Sequence, residues 1–280
     1  MEPLPESLAW RQFLDLVAQN DDALPLDLGA LLIAAQAQPE LEVQRWMAKL
    51  DAMAEHIRAP IPDSAPSDER FEALRIYIHR TVGLSGNVDD YYALQNSYLN
   101  RVIERGLGIP ITISVVYLEL ARRIGVPLRG IGFPGHFLIE HTDTPEGYVD
   151  PFDPTELLDT DDLAAMLHRA SQGQARLEAE HLMPVSNREI LTRMLVNLKL
   201  IHLRRAEPLH AIRMIDGILA LDAQRAVEYR DRGRIYAEIE YDGQAEDDLS
   251  TYLALRPDAT DAPELRELLA TVQERLSHYH

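Results

Sequence analysis

Between residues 7 and 57 apolar positions recur at intervals of three and four. SLAWRQFLDLVA, DLGALLIAAQAQP and ELEVQRWMAKLDAMAEHI each carry an apolar stripe, which predicts three helices. Ser7, Asp27 and Glu40 stand near their starts, where an acceptor or a negative charge suits the free amides of a first turn. The stretch APIPDSAPSD at 59–68 breaks the period with three prolines and reads as a connection. Helices follow at SDERFEALRIYIHRTVG, at NSYLNRVIERGLG and from Pro110 to Ile124. Pro110 suits a first turn, where its missing amide hydrogen has no intrahelical partner to lose, and Gly125 and Pro127 stop the helix.

After Pro127 the pattern shortens. LRGIGF, HFLIEH and GYVDPF are apolar runs bounded by Gly or Pro, which predicts antiparallel strands. From about residue 155 helices return at DDLAAMLHRAS and SNREILTRMLVNLKLIHLRRAE, and an internal repeat follows. ILALDAQ at 218–224 matches YLALRPD at 252–258; Leu221 and Leu255, like Ala211 and Ala245, stand 34 positions apart. That is the period of the tetratricopeptide repeat, a pair of antiparallel helices. YRDRGRIYAEIEYDGQAEDDLSTYLALRPDA resembles this repeat, with Gly233, Tyr236, Ala245 and Pro257 at motif-like places. The first copy, roughly 192–224, is degenerate and has Ala223 where the second has Pro257. APELRELLATVQERLSH reads as the closing helix of the stack.

Charge and composition narrow the function classes. Acidic residues number 46 against 27 basic ones, a formal charge of −19, which opposes binding to phosphate backbones or anionic lipid. The chain has no cysteine, which excludes disulfides, thiolate metal sites and a thiol nucleophile. No basic-then-apolar leader is visible at the start, and the apolar runs fall short of the roughly 20 residues that span a bilayer. A soluble, cytoplasmic protein is expected.

The candidate chemistry sits between the helix at Pro110 and the third strand. On a strand beginning at His136, His136, Leu138 and Glu140 share one face, while Phe137, Ile139 and His141 share the other. If that strand pairs with GYVDPF across TDTPEG, Asp150 comes within reach of His136, the orienting half of a nucleophile, base and acid triad. The same two residues would serve equally as a buried pair fastening two strands. Thr112 and Ser114 are the hydroxyls available to such a base. Asn96 and Tyr98 are candidate pocket residues, with a helix cap and a core aromatic as their structural readings. Arg122 and Arg123 either bind an acidic group or complement the end of their helix. His136, Glu140, His141 and Asp150 offer metal-ligating atoms, but the alternation sends the two histidines to opposite faces, and the terminal HYH reads as a frayed end. No metal and no cofactor is expected.

The stretches NSYLNRVIERGLGIPITISVVYLELARRIGVPLRGIGFPGHFLIEH and YVDPFDP resemble the SirB family, a transglutaminase-like, papain-related core followed by tetratricopeptide repeats. The resemblance implies an α+β, mainly helical fold with a small antiparallel sheet, at about 1–180, and an α-helical repeat domain at about 181–280. In the transglutaminase-like superfamily a Cys at the helix start is the nucleophile; comparison through LARRIGVP puts it on Pro110, with the family His and Asp on His136 and Asp150. The resemblance therefore implies a degenerate cleft in a regulatory, protein-interaction protein of bacterial type. Its partner would be a polypeptide, met in part by Asn197, Arg204, Arg232 and Arg234 on the repeats; oligomeric state is left open. The alternative is a Ser- or Thr-dependent peptide or amide hydrolase or acyl transferase working through Thr112 or Ser114.

Overall fold

The computed structural model describes residues 4–19, 24–144, 147–152 and 157–278. The chain divides into two units, 7–194 and 195–280, the second also taking in the first six residues. The division falls inside a helix, at Met194 and Leu195.

In the first unit, α1 (Leu8–Gln19), α2 (Leu26–Ala37) and α3 (Val43–Arg58) precede α4 (Ser67–Ile76), which continues as a π turn over Tyr77–Thr81. Next come β1 (Ser85–Gly86), α5 (Leu99–Arg105), β2 (Leu107–Gly108) and α6 (Pro110–Ile124). The unit is completed by β3 (Leu128–Ile131), β4 (Leu138–His141), β5 (Tyr148–Val149), α7 (Thr160–Ala170) and the start of α8 (Asn187–Arg204). β3, β4 and β5 form an antiparallel sheet in that order, while β1 and β2 form a separate parallel pair.

Helix α6 organises this unit because nearly every face of it is apolar. Ile113, Val115, Val116, Tyr117 and Leu120 are fully buried, and the helix touches α2, α3, α4, α5 and the sheet. Burying each such side chain contributes about 1.5–3 kcal/mol. Thr112 Oγ1 accepts the amide hydrogen of Ile109 at 3.2 Å, which closes the N-terminus, and Gly125 at φ +72° closes the other end. The inner helix α2 is buried almost throughout, and a Cβ on Gly29 would stand 2.6 Å from Leu191 of α8.

In the second unit α8 is followed by α9 (Pro208–Leu221), α10 (Ala226–Glu238), α11 (Asp242–Leu255) and α12 (Ala262–His278). The 34-residue period governs the helix bounds: α9 and α11 are offset by that amount at both ends, and so are the last residues of α8 and α10. Gly233 of α10 lets Leu249 of α11 approach to 3.0 Å of where a Cβ would lie, the close packing for which the repeat uses a small residue. Ala245, Leu249 and Tyr252 of α11 and Leu265 and Val272 of α12 make the core between these two helices.

Candidate functional site

The segment Phe133-Pro134-Gly135-His136 forms a turn in which the His136 amide donates to Phe133 O at 3.0 Å. Proline at its second place and Gly135 at φ +77° at its third are the residues such a turn requires. Phe133 and Phe137 on either side are buried, so the turn is anchored while the His136 side chain stays 37% exposed. His136 thus lies in the approach to β4, two residues before the strand that the sequence pattern begins on it.

β4 and β5 pair Ile139 with Val149. Continuing that register sets Leu138 opposite Asp150, with His136 diagonal to it on the same face. His136 Nδ1 and Asp150 Oδ2 lie 3.0 Å apart, and the other carboxylate oxygen accepts the Phe152 amide hydrogen at 2.9 Å. Asp150 therefore fixes the imidazole and the chain that follows β5 together. Asp153 and Pro154 of the strand-ending motif, Pro145 and Glu146 of the β4–β5 turn, and Tyr279 and His280 of the terminal HYH lie outside the described residues.

The start of α6 is tied to this pair through Phe152. Gly86 pairs with Gly108, just before Pro110, and a Cβ on Gly86 would fall 2.3 Å from the Phe152 ring. Phe152 meets Tyr91 edge-on at 6.2 Å, and Tyr91 meets Tyr92 at 5.2 Å. Tyr91 and Tyr92 are exposed and make an aromatic wall beside Phe152, which periodicity did not single out. Neither ring follows a helical or strand alternation, so only their bare composition, two tyrosines in a polar loop, could have marked them.

The two candidate hydroxyls are engaged elsewhere. Thr112 Oγ1 is fully buried and donates to Asn96 O at 2.6 Å; Ser114 Oγ donates to Pro110 O at 2.8 Å, back along its own helix. Among the described residues no hydroxyl is hydrogen-bonded to His136 Nε2. Asn96 is fully buried as well: its amide donates to Asp90 O at 2.7 Å and Tyr91 O at 3.1 Å, while its oxygen accepts from Asn87 and Arg105. It holds the loop that carries the two tyrosines. Tyr98 is buried at the start of α5.

His136, Glu140, His141 and Asp150 do not share a centre. Glu140 pairs with Arg129 at 2.8 Å, and the buried His141 ring contacts Ser67 Oγ at 2.8 Å and Thr144 Oγ1 at 2.5 Å. Arg123 turns inward, while Arg122 stays largely exposed. Arg123 reaches Asp27 Oδ2 and Glu119 Oε2, each at 2.6 Å, so Asp27 is a buried ion-pair partner as well as a first-turn residue. Burial raises the Glu119 carboxyl, and the neighbouring charge of Asp27 raises it further. On the repeats, Arg232 is held by Asp248 at 2.7 Å and Asp216 at 2.6 Å, so it is engaged inside the unit rather than offered to a partner. Arg234 pairs with Glu264 at 3.0 Å; Asn197 is half-buried and Arg204 exposed.

A transglutaminase-like superfamily model matches residues 44–196 and a tetratricopeptide repeat model matches 198–270. A UPF0162 protein of Xylella fastidiosa strain 9a5c is 34% identical over 269 residues, covering 95% of this chain and 96% of the relative. A UPF0162 protein of Vibrio cholerae is 30% identical over 267 residues, 95% and 97% of the two chains. Protein SirB1 of Salmonella typhimurium is 24% identical over 253 residues, 90% and 94% of the two chains. No solved structure matches significantly. Among the described residues no helix is long and apolar enough to cross a membrane.

Proposed function

The chain belongs to the transglutaminase-like superfamily, among SirB-like proteins with tetratricopeptide repeats, and from that premise we propose that it is a non-catalytic regulatory protein that binds a polypeptide. The observation that carries this reading is the start of α6. Pro110 stands where the resemblance puts the thiol, the chain holds no cysteine, and a proline ring offers no nucleophilic atom. Thr112 and Ser114 spend their protons on backbone carbonyls, and freeing either would leave a buried group unpaired.

What the cleft retains is suited to recognition. The His136–Asp150 pair lies next to Phe152, which leads to the exposed Tyr91 and Tyr92. Rings of this kind supply contact area at small entropy cost and dominate binding hot spots. On the repeats, Asn197, Arg204 and Arg234 are the proposed contacts, with Arg232 tying α10, the helix of Arg234, to Asp216 and Asp248. The formal charge of −19 disfavours nucleic acid and anionic lipid as the ligand, and we place the protein in the cytoplasm. Co-purification from cells producing wild type, Tyr91→Ala/Tyr92→Ala or Asn197→Ala is the test. Loss of a shared partner in the variants is expected, and equal recovery from all three overturns the proposal.

The competing reading, peptide or amide hydrolysis or acyl transfer through Thr112 or Ser114, draws on the same His136–Asp150 pair. It expects turnover that His136→Ala abolishes in a folded protein. Wild-type turnover in that variant removes it; turnover lost only there overturns the non-catalytic reading.

A further inference from the structure

The corner between α8 and α9 gathers three metal-ligating side chains that neither the strand pattern nor the cleft accounts for. Ligand atoms of His202, Glu207 and His210 lie within 4.8 Å of one another. His202 Nδ1 stands 2.7 Å from Glu207 Oε2, and the His202 and His210 rings stack at 5.0 Å between centroids. Two nitrogens and one oxygen held tetrahedrally at zinc bond lengths are separated by about 3.3–3.5 Å. That value lies between the 2.7 Å contact and the 4.8 Å limit on the set, a range that rotations of the two rings and the carboxylate can cover.

The turn is built to bring them together. The Glu207 amide donates to His202 O at 2.9 Å, and Ala206 takes φ +54°, a left-handed conformation that a non-glycine residue adopts at a cost of about 1–2 kcal/mol. The next repeat repeats the turn 34 residues on, with Glu240 at φ +61° and the Tyr241 amide donating to Tyr236 O at 2.8 Å. There the positions of His202 and Glu207 carry Tyr236 and Tyr241, whose rings stack at 6.1 Å, and that of His210 carries Gln244. One corner of the same backbone is thus filled by an aromatic pair and the other by a His-Glu-His set. His202 is buried at this corner, while Glu207 and His210 are half-buried beside it. Arg205 occupies the other Glu207 oxygen at 2.9 Å from an exposed position, which leaves Oε2 on the histidine side.

We propose that His202, Glu207 and His210 form a binding site for a divalent transition ion of the zinc class, with a fourth position left to water. Two imidazoles and a single carboxylate suit such an ion and disfavour magnesium or calcium, which take oxygen shells. Tag-free protein titrated with zinc chloride is expected to take up one equivalent per chain, and cobalt(II) to give the intense visible bands of a four-coordinate ion. His210→Gln, at a half-buried position of the first turn of α9, and Glu207→Gln are each expected to lose that equivalent with the far-UV circular dichroism unchanged. His278→Gln/His280→Gln, which removes the terminal histidines, is expected to keep it, and magnesium to give none. No uptake by wild type, equal uptake by a folded His210→Gln variant, or loss in the His278→Gln/His280→Gln variant would overturn the proposal.

Discussion

Replacing Arg123 by Met tests whether a buried ionic cluster, rather than apolar packing alone, holds α2 against α6. The Arg123 side chain is 9% exposed and serves three acids: Asp27 at 2.6 Å, Glu119 at 2.6 Å and Asp51 at 2.8 Å. The side chains of Asp27 and Glu119 are 2% and 4% exposed, so water cannot take over from the guanidinium. Arg122 also touches both acids, but it is 61% exposed and its pairing is screened. Removing one partner of a buried ion pair costs about 3–5 kcal/mol because a charge is left uncompensated. With a urea m-value of about 2–3 kcal/mol/M, the unfolding midpoint is expected to fall by roughly 1–2.5 M. Both tryptophans, Trp10 and Trp46, lie in the 7–194 unit, so their fluorescence reports its unfolding selectively. Adding Glu119→Gln to Arg123→Met removes one stranded charge and is expected to recover about 0.5–3 kcal/mol of the loss. An Arg123→Met cost below about 1 kcal/mol, or a double variant no better than the single one, would refute this account.

Three further outcomes are expected. Burial alone would raise the Asp27 carboxyl, but hydrogen bonds from Arg123 and the Leu28 amide outweigh it and hold the pKa below its ordinary 3.8. A depressed folded-state value gives stability that is present above the unfolded value and lost as pH falls through the folded one. Asp27→Asn is therefore expected to be weaker than wild type at neutral pH in urea titrations, with the gap closing below about pH 4; a gap constant with pH refutes this. Gly86→Ala drives a methyl into the Phe152 ring and is expected to cost about 1–3 kcal/mol, less once Phe152→Ala is present; additive losses in thermal melts would disprove the contact. Glu240→Gly releases a left-handed residue and is expected to gain about 0.5–1 kcal/mol, read as slower amide exchange in α10 and α11, with unchanged exchange counting against it.

The repeat was legible because Ala211, Ala245, Leu221 and Leu255 carry its period, the first three of them in buried side chains whose size the packing dictates. The corners at Ala206 and Glu240 were not, since neither residue is the glycine that advertises a positive φ. Helix α6 and the three antiparallel strands followed from periodicity and from Pro110, Gly125 and Pro127. The parallel pair of β1 and β2 is two residues long on each strand, too short to leave a pattern. In the cleft, alternation put His136 and Asp150 on facing sides. The fates of Thr112 and Arg232 depended on partners distant in sequence, Asn96 O and Asp216, whereas Ser114 bonds back to Pro110 O within its own helix. The His202, Glu207 and His210 set straddles a helix corner, where neither helical nor strand spacing applies; a His-x4-Glu-x2-His string was its sole trace.

The buried Arg213 guanidinium donates to the carbonyls of Leu4 at 2.7 Å and Pro5 at 3.3 Å, across 209 and 208 residues of sequence. During translation these carbonyls emerge long before the arginine that binds them, and they wait for it while everything through α8 is made. The repeat unit completes this contact only when the opening residues are present. A fragment starting at Leu195 would lack these two carbonyls, and supplying the first residues as a separate peptide should restore the contact that truncation removes.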